Sequence, residues 1–330
     1  MKQSYYLYKN GRLQRKDNTL EIVYKDNTKK SIPVERVDDI YVMTELDFNT
    51  NLLNFLSQFG INIHFFNYYG FYTGTYYPKE SLVSGKLLIK QVEHYNDKEK
   101  RINIAKAFID AGSYNIYRNL TYYNNRGKNL KEYMKEIEFL RTQIKLCNDV
   151  PELMGIEGNI RRVYYDSWNV IINQDIAFEK RVKNPPDNAI NSLISYVNTI
   201  IYTRVLSEIY KTQLNPTISY LHEPSERRFS LCLDISEIFK PIIADRLIFS
   251  MLNKRQITEK DFEEGLNVTY IKESARKEIT REIDLRLQTK IKHKKLDREV
   301  SYEYLIRLEV YKLIKHLLED EEYEGFKMWW

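Results

Sequence analysis

Over the first 80 residues apolar and polar positions alternate, the period-two pattern of half-buried strands. "SYYLYKNGRLQRK" sets two short alternating runs on either side of Asn10-Gly11, and that pair predicts a tight hairpin. "TLEIVYKD" puts Leu20, Ile22 and Tyr24 on one face of a strand, with "DNTKK" as the turn that follows. "INIHFFNYYGFYTGTYY" continues with aromatic, strand-favouring residues broken by Gly70 and Gly74. "FNTNLLNFLSQFG" is the helical interruption, with Gly60 as its C-terminal cap.

After Pro78 the period lengthens. From Glu80 onward apolar residues recur at helical spacing, glycines are few and charges pair at i, i+4. "NLKEYMKEIEFLRTQIKL" and "YEYLIRLEVYKLIKHLLEDEE" are amphipathic helices by this pattern. The basic run "TKIKHKK" at residues 289–295 reads as a solvated helix face. The tail "EDEEYEGFKMWW" reads as a frayed end, with Trp329 and Trp330 available to dock. The boundary between the two textures falls near residue 80, and no internal repeat is visible.

Composition narrows the classes. A chain of 330 residues is long enough for two domains with one core each. Its 29% charged and 43% hydrophobic residues are ordinary for a cytosolic globular protein. No apolar run approaches the roughly 18 residues of a membrane helix, and the start "MKQSYYLYK" is no signal peptide. Cys147 and Cys232 stand alone, which argues against a disulfide framework or a thiolate zinc site and for a reducing, cytoplasmic setting. The net charge of +5 arises from 51 basic and 46 acidic residues, a weak signal for nucleic acid. The 27 tyrosines and 14 phenylalanines could stack on bases, although most will fill cores. Up to Glu80 there are 10 basic and 9 acidic residues, so the strand-rich part reads as a neutral scaffold. Glu-x-Lys, HExxH, GxxxxGK[ST] and GxSxG patterns are all missing, which removes support for restriction-type, metalloprotease, P-loop and serine-hydrolase chemistry.

Two segments could carry chemistry. In "VPELMGIEGNIRRVYYDSW", Leu153, Ile156, Ile160 and Val163 form a helix stripe with Glu157 at its margin and Arg161 one turn on. The plain reading is an i, i+4 ion pair; the alternative is a half-buried functional carboxylate. "SYLHEPSERRFSLCLDISEIFKP" runs His222, Asp234 and Glu237 along a half-buried segment, where uncompensated charge is expensive. Asp234-Ile-Ser-Glu237 fits a capping box with Asp234 as N-cap. If the helix begins earlier, near Ser230, the two acids share a face and converge at the spacing a divalent ion needs. Carboxylates suit Mn2+ or Mg2+, and one imidazole is compatible with Mn2+. The residues alone leave both readings open.

"MGIEGNIRRVYYDSW", "NPPDNAINSLISYVNTIIY" and "LHEPSERRFSLCLDISEIFKPIIADRL" occur in the order and spacing of the CRISPR-associated integrase family, and the resemblance covers nearly the whole chain. The wording around His222 is most similar to subtype I-B members. The resemblance implies a metal-dependent endonuclease and integrase of spacer acquisition, joining DNA strands by phosphodiester transesterification. The fold expected is α+β: a small β-sandwich-like domain over residues 1–80 that contributes to dimerisation, then a larger all-α catalytic domain over residues 81–330. By position, Glu157, His222, Asp234 and Glu237 are the implied catalytic residues. Glu157, His222 and Glu237 would hold Mn2+ or Mg2+, with Asp234 a ligand or close behind one. Many relatives have Asp where this chain has Glu237, and often Gly where it has Glu223-Pro224. Arg161 and Lys240, one turn beyond Glu157 and Glu237, and the adjacent Arg227 and Arg228 are candidate phosphate contacts. The implied partners are double-stranded DNA, a second copy of the chain, and a small CRISPR-associated subunit whose dimer bridges two such dimers; no membrane is implied. Two rivals stand beside this reading. One is a metal-dependent nuclease of branched DNA in repair. The other is a non-catalytic DNA-binding scaffold in which Glu157 and Glu237 only make salt bridges.

Overall fold

The computed structural model describes residues 2–79, 82–176, 178–183, 185–226, 229–266 and 268–329. The chain divides into two units, Met1–Val83 and Ser84–Trp330. The first runs β1 (Gln3–Leu7), β2 (Gly11–Lys16), β3 (Thr19–Tyr24), β4 (Lys29–Pro33), β5 (Val37–Val42), β6 (Leu46–Asp47), α1 (Thr50–Phe59), β7 (Asn62–Phe66) and β8 (Tyr72–Tyr76). These make two four-stranded sheets, ordered β1-β5-β7-β8 and β4-β3-β2-β6. Leu13, Leu20, Ile22 and Ile32 from one sheet share a core with Ile40, Val42 and Ile63 from the other and with Leu52, Phe55 and Leu56 of α1. That shared core is the expected sandwich-like arrangement. Helix α1 begins where the Asn49 side chain accepts from the Leu52 N–H and ends at Gly60, whose φ of 65° is left-handed.

Asn10-Gly11 does not close a hairpin. β1 runs parallel to β5 while β2 pairs antiparallel with β3, so the strands flanking the pair part into different sheets. The tight turn sits instead at Asp17-Asn18, where Lys16 pairs with Thr19 and Asp17 has a φ of 52°. Gly11 answers a different need: a Cβ there would collide with the Val23 carbonyl. The turn expected at "DNTKK" does join β3 to β4, with Val23 opposite Lys29.

The second unit holds α2 (Gly85–Asn96), α3 (Lys98–Asn124), α4 (Lys131–Gln143), α5 (Val150–Asp166), α6 (Trp168–Ile171), α7 (Ala189–Tyr210), α8 (Ser230–Phe239), α9 (Arg246–Asn253), β9 (Phe262–Gly265), β10 (Val268–Ile271), α10 (Glu273–Gln288), β11 (Lys290–His293), β12 (Arg298–Ser301) and α11 (Tyr302–Leu317). The α+β division holds, although the helical unit also carries two short antiparallel ribbons, β9–β10 and β11–β12. "TKIKHKK" therefore supplies a strand and not a helix face. Ile291 stands opposite the buried Val300, and the period-two alternation around it suits a ribbon. No helix among the described residues is long and apolar enough to cross a membrane.

The tail is not frayed. Tyr323, Phe326 and Met328 are buried. Glu309 accepts from the Tyr323 hydroxyl at 2.6 Å and from the Phe326 N–H at 3.1 Å. Trp329 packs on Phe326 with ring centroids 5.3 Å apart; Trp330 lies outside the described residues.

The way α8 ends positions everything near it. The helical path continues through a wider, π-wound stretch, Lys240–Asp245, into α9. Pro241 has no N–H to give and its ring crowds the carbonyl of Glu237, so the turn loosens and carbonyls lose partners. Helix α3 supplies substitutes from one face. Asn115 Nδ2 donates to the Ile238 carbonyl at 3.1 Å, and Asn119 Nδ2 to the Pro241 carbonyl at 2.7 Å. Gly112 completes the face, since a Cβ there would sit 2.9 Å from the Glu237 carbonyl. Asn115 also donates to the Phe326 carbonyl at 3.0 Å and accepts from the Met328 N–H at 2.8 Å. Replacing Asn115 by alanine leaves these buried groups unpaired and should cost roughly 2–4 kcal/mol, read by urea unfolding. A loss below about 0.5 kcal/mol would show that these hydrogen bonds do not hold α3, α8 and the tail together.

Candidate active site

Helix α5 starts at Asp149, whose side chain accepts from the Glu152 N–H at 2.9 Å, with Pro151 in the first turn. It buries Leu153, Ile160 and Val163 of the expected stripe, with Ile156 half-buried, and leaves Glu157 partly exposed at the margin. A Cβ at Gly155 or Gly158 would meet nothing within 4 Å, so the space beside Glu157 stays open. Arg161 Nε donates to Glu157 Oε1 at 3.0 Å, and Nη2 of the same guanidinium donates to Glu237 Oε2 on α8. Lys240 Nζ takes the other oxygen of Glu237 at 2.6 Å. Two carboxylates from different helices thus meet on one guanidinium, in a cleft lined also by Ile109, Gly112 and Ile116. Burial opposes the charge on Glu237. The charges of Arg161 and Lys240 overcome that cost and hold its carboxyl well below the usual range, with His222 adding to the same field.

Helix α8 begins at Ser230, fixed there by Ser230 Oγ donating to the Thr217 carbonyl at 2.8 Å and the Leu231 N–H to the Pro216 carbonyl at 3.0 Å. Asp234 therefore lies inside the helix, and the capping-box reading falls. Its carboxylate is fully buried and fully used. Oδ2 accepts from the N–H groups of Tyr220 and Leu221 at 2.7 and 3.0 Å, and Oδ1 from the N–H of His222 at 3.0 Å. Oδ1 also meets His222 Nδ1 at 2.8 Å. In the neutral ring Nδ1 is then the donor and Nε2 carries the lone pair. Asp234 and Glu237 share the helix but serve different partners: one orients an imidazole, the other faces Arg161 and Lys240.

The family model described as "CRISPR associated protein Cas1" matches residues 5–284. The chain belongs to the Cas1 family. A curated relative from Fusobacterium nucleatum, named CRISPR-associated endonuclease Cas1, is 62% identical over 330 residues, covering 100% of this chain and 98% of its own. The solved structure of a Cas1 protein from Thermotoga maritima has a TM-score of 0.86 at 40% identity, covering 98% of this chain and 100% of that one. A casposase bound to integration product shares the fold, with a TM-score of 0.85 at 20% identity over 99% of this chain and 96% of its own.

In this Cas1-family chain, Glu157, Glu237, Arg161 and Lys240 come together, while the His222 ring meets Asp234; the ligand atoms of Glu157, His222 and Glu237 do not all lie within 4.8 Å of one another. Arg161 and Lys240 were expected to face phosphate; here both are engaged by the carboxylates. Arg227 and Arg228 lie outside the described residues. Sequence reasoning missed Asp245. It is buried within the field of Arg161, Lys240 and Glu237, and its Oδ2 has no partner among the described residues. An acid inside the apolar run "PIIADRLIF" was the signal available. Burial pushes its carboxyl up to about 7, with the charge of Arg161 opposing.

A carboxyl raised above its unfolded value keeps its proton in the folded state where the unfolded chain has lost it. Asp245 therefore lowers stability as pH rises from about 4 to about 7. Asp245→Asn keeps the shape and removes the titration. Relative to the parent in EDTA, the variant should gain at least about 1 kcal/mol between pH 5 and pH 8, since a tenfold change in proton affinity is worth about 1.4 kcal/mol. An equal difference at both pH values in urea unfolding would exclude the raised carboxyl.

Proposed function

We propose that this protein is a divalent-metal-dependent DNA endonuclease and integrase that inserts captured DNA fragments as new spacers into a CRISPR array. The observation that carries the reading is the meeting of Glu157 and Glu237 on Arg161, with a buried aspartate one turn before Glu237 on the same helix orienting His222. A scaffold would need only the two salt bridges. It would not need Asp234 buried and spent on orienting His222, the usual support for a metal-binding imidazole.

The donor set fits Mn2+ or Mg2+: two carboxylates and one imidazole, from Glu157, Glu237 and His222. Bound there, the ion would act as Lewis acid, lowering the pKa of an attacking hydroxyl and offsetting charge on the phosphorane. Asp234 fixes the ring that presents Nε2. Arg161 and Lys240 are the cations available to face a DNA phosphate once the carboxylates turn to a metal. A 3′-hydroxyl of the captured fragment attacks the backbone phosphorus at a repeat border; one P–O bond forms and one breaks, releasing a 3′-hydroxyl. The number of phosphodiesters is unchanged, so no nucleotide cofactor is required. With water as nucleophile the same site nicks DNA.

The test is a strand-joining and nicking assay with Mn2+, Mg2+ or EDTA. Glu157→Ala, His222→Ala and Glu237→Ala should each lose at least about 100-fold in both reactions, while DNA binding survives. Asp234→Asn should lose about 10- to 100-fold through metal affinity. Near-parental activity of Glu157→Ala or His222→Ala would refute the site. Cutting of branched DNA without joining would point to the repair nuclease, and binding with neither reaction to the scaffold.

The proposed partners are double-stranded DNA, a second copy of the chain and a small CRISPR-associated subunit. For the homodimer the support is the exposed aromatic turn between β7 and β8, where Tyr68, Tyr69 and Phe71 are 76%, 49% and 43% exposed. Light scattering at micromolar concentration should give twice the chain mass, and Tyr68→Ser with Phe71→Ser should shift it toward the monomer. A parent that is monomeric and folded would overturn the dimer.

A further inference from the structure

The arginines of the helical unit divide into two kinds. Arg101, Arg141, Arg161 and Arg204 each donate to a carboxylate at close range. Arg126, Arg246 and Arg286 do not: among the described residues none of the three makes an ion pair. Their contacts are aromatic rings, a side-chain amide, the Tyr302 hydroxyl and a carbonyl. Arg126 and Arg246 lie over the Tyr122 ring at 4.2 and 5.1 Å, and Arg286 over Tyr302 at 4.6 Å. Arg246 Nε donates to Asn119 Oδ1 at 2.9 Å, and Arg286 Nη2 to the Ile242 carbonyl at 3.0 Å. Arg286 Nε is buried with no partner among the described residues.

Arg126 and Arg246 meet on the Tyr122 ring, whose centroid is 5.1 Å from that of Tyr123, and Arg286 holds the Ile242 carbonyl four residues before Arg246. All three act on the Tyr123 hydroxyl, opposing the burial that pushes it up to about 12. Burial and then the charge of Arg286 lower the pKa of Arg246, and the groups that oppose this are tyrosines, not carboxylates. Arg246 and Arg286 are half-buried, and like charges so placed without a counter-ion are costly. An anion with several acceptor oxygens relieves both the repulsion and the missing hydrogen bonds.

We infer that Arg126, Arg246 and Arg286, grouped around Tyr122 and Tyr123, form a phosphate-binding station for the DNA backbone, separate from the candidate metal ligands. The inference rests on the proposal that the protein acts on DNA. The station is tied to the same helical path as the reaction centre. Arg246 follows Glu237 by nine residues, at most about 14 Å along a helix axis, and Arg286 grips the carbonyl of Ile242 between them. Arg161 and Lys240 are engaged by Glu157 and Glu237, so these three arginines are cations left to bind a strand before any metal arrives.

The experiment measures binding of a fluorescein-labelled DNA duplex by anisotropy in EDTA, across a salt series. Parent protein, Arg126→Ala, Arg246→Gln and, as an exposed control paired with acids, Arg281→Ala are compared. Glutamine keeps a donor for Asn119, and melting temperatures are taken for each variant. Arg126→Ala and Arg246→Gln should each weaken binding about 3- to 10-fold and reduce the slope of log affinity against log salt by about 0.9, one phosphate contact apiece. Arg281→Ala should match the parent. If Arg246→Gln does not fold, the exposed Arg126→Ala decides alone. Parental affinity and slope in Arg126→Ala and Arg246→Gln, or an equal loss in Arg281→Ala, overturns the station while leaving the DNA-acting function intact. A parent that binds no DNA overturns both.

Discussion

A proline inside a helical run is the constraint on which the helical unit of this protein is built. Pro241 withdraws an N–H and crowds the carbonyl of Glu237, and the widened turn leaves oxygens that the helix cannot satisfy itself. A buried carbonyl without a donor costs about 1–3 kcal/mol, so the substitutes from Asn115 and Asn119 are not optional. By giving them, α3 is committed to lie against α8 at a distance only glycine permits, at Gly112. The same two asparagines hold the C-terminal segment and Arg246. Glu237 and Lys240 both precede the proline within one turn, so their placement follows from how it is accommodated.

The electrostatics follow from that packing. Glu157 meets Arg161 at the partly open margin, while Glu237 and Asp245 are buried within the field of Arg161 and Lys240. Coulomb attraction is strong there, which keeps Glu237 ionised. Asp245 goes the other way: burial raises its carboxyl, and the charges of Arg161 and Lys240 only partly oppose that. Asp234 is a separate case, since four hydrogen-bonding contacts satisfy its charge locally and turn it into a fixed support for His222.

Much of the fold was legible. The alternation of Leu20 and Ile22 marked a strand, the Asn49-to-Gly60 stretch a capped helix, and the stripe Leu153–Ile160–Val163 a helix with Glu157 at its edge. What misled were strong local signals outvoted by distant partners. Asn10-Gly11 has hairpin chemistry, yet β1 pairs with β5 and not with its neighbour in sequence. Asp234-Ile-Ser-Glu237 has the letters of a capping box, yet the loop at Pro216 and Thr217 starts the helix earlier. The tail looked solvated because acids crowd its first half. Tyr323, Phe326 and Met328 nevertheless find a groove that α3 and α11 provide.

The amino-acid order by itself determined the kinds of elements, the change of texture near residue 80, the family, and which side chains were worth watching. Periodicity, caps and motif spacing act within a turn or two of the chain, so they can be read without knowing what lies opposite. Only the tertiary structure decided the partners: that Arg161 ties Glu157 to Glu237 across 80 residues of sequence, that Asp234 serves His222, and that Asp245 joins the cluster. Those choices depend on which buried charges and carbonyls must be satisfied once helices pack. That requirement arises between segments far apart in the chain and is written in no single one of them.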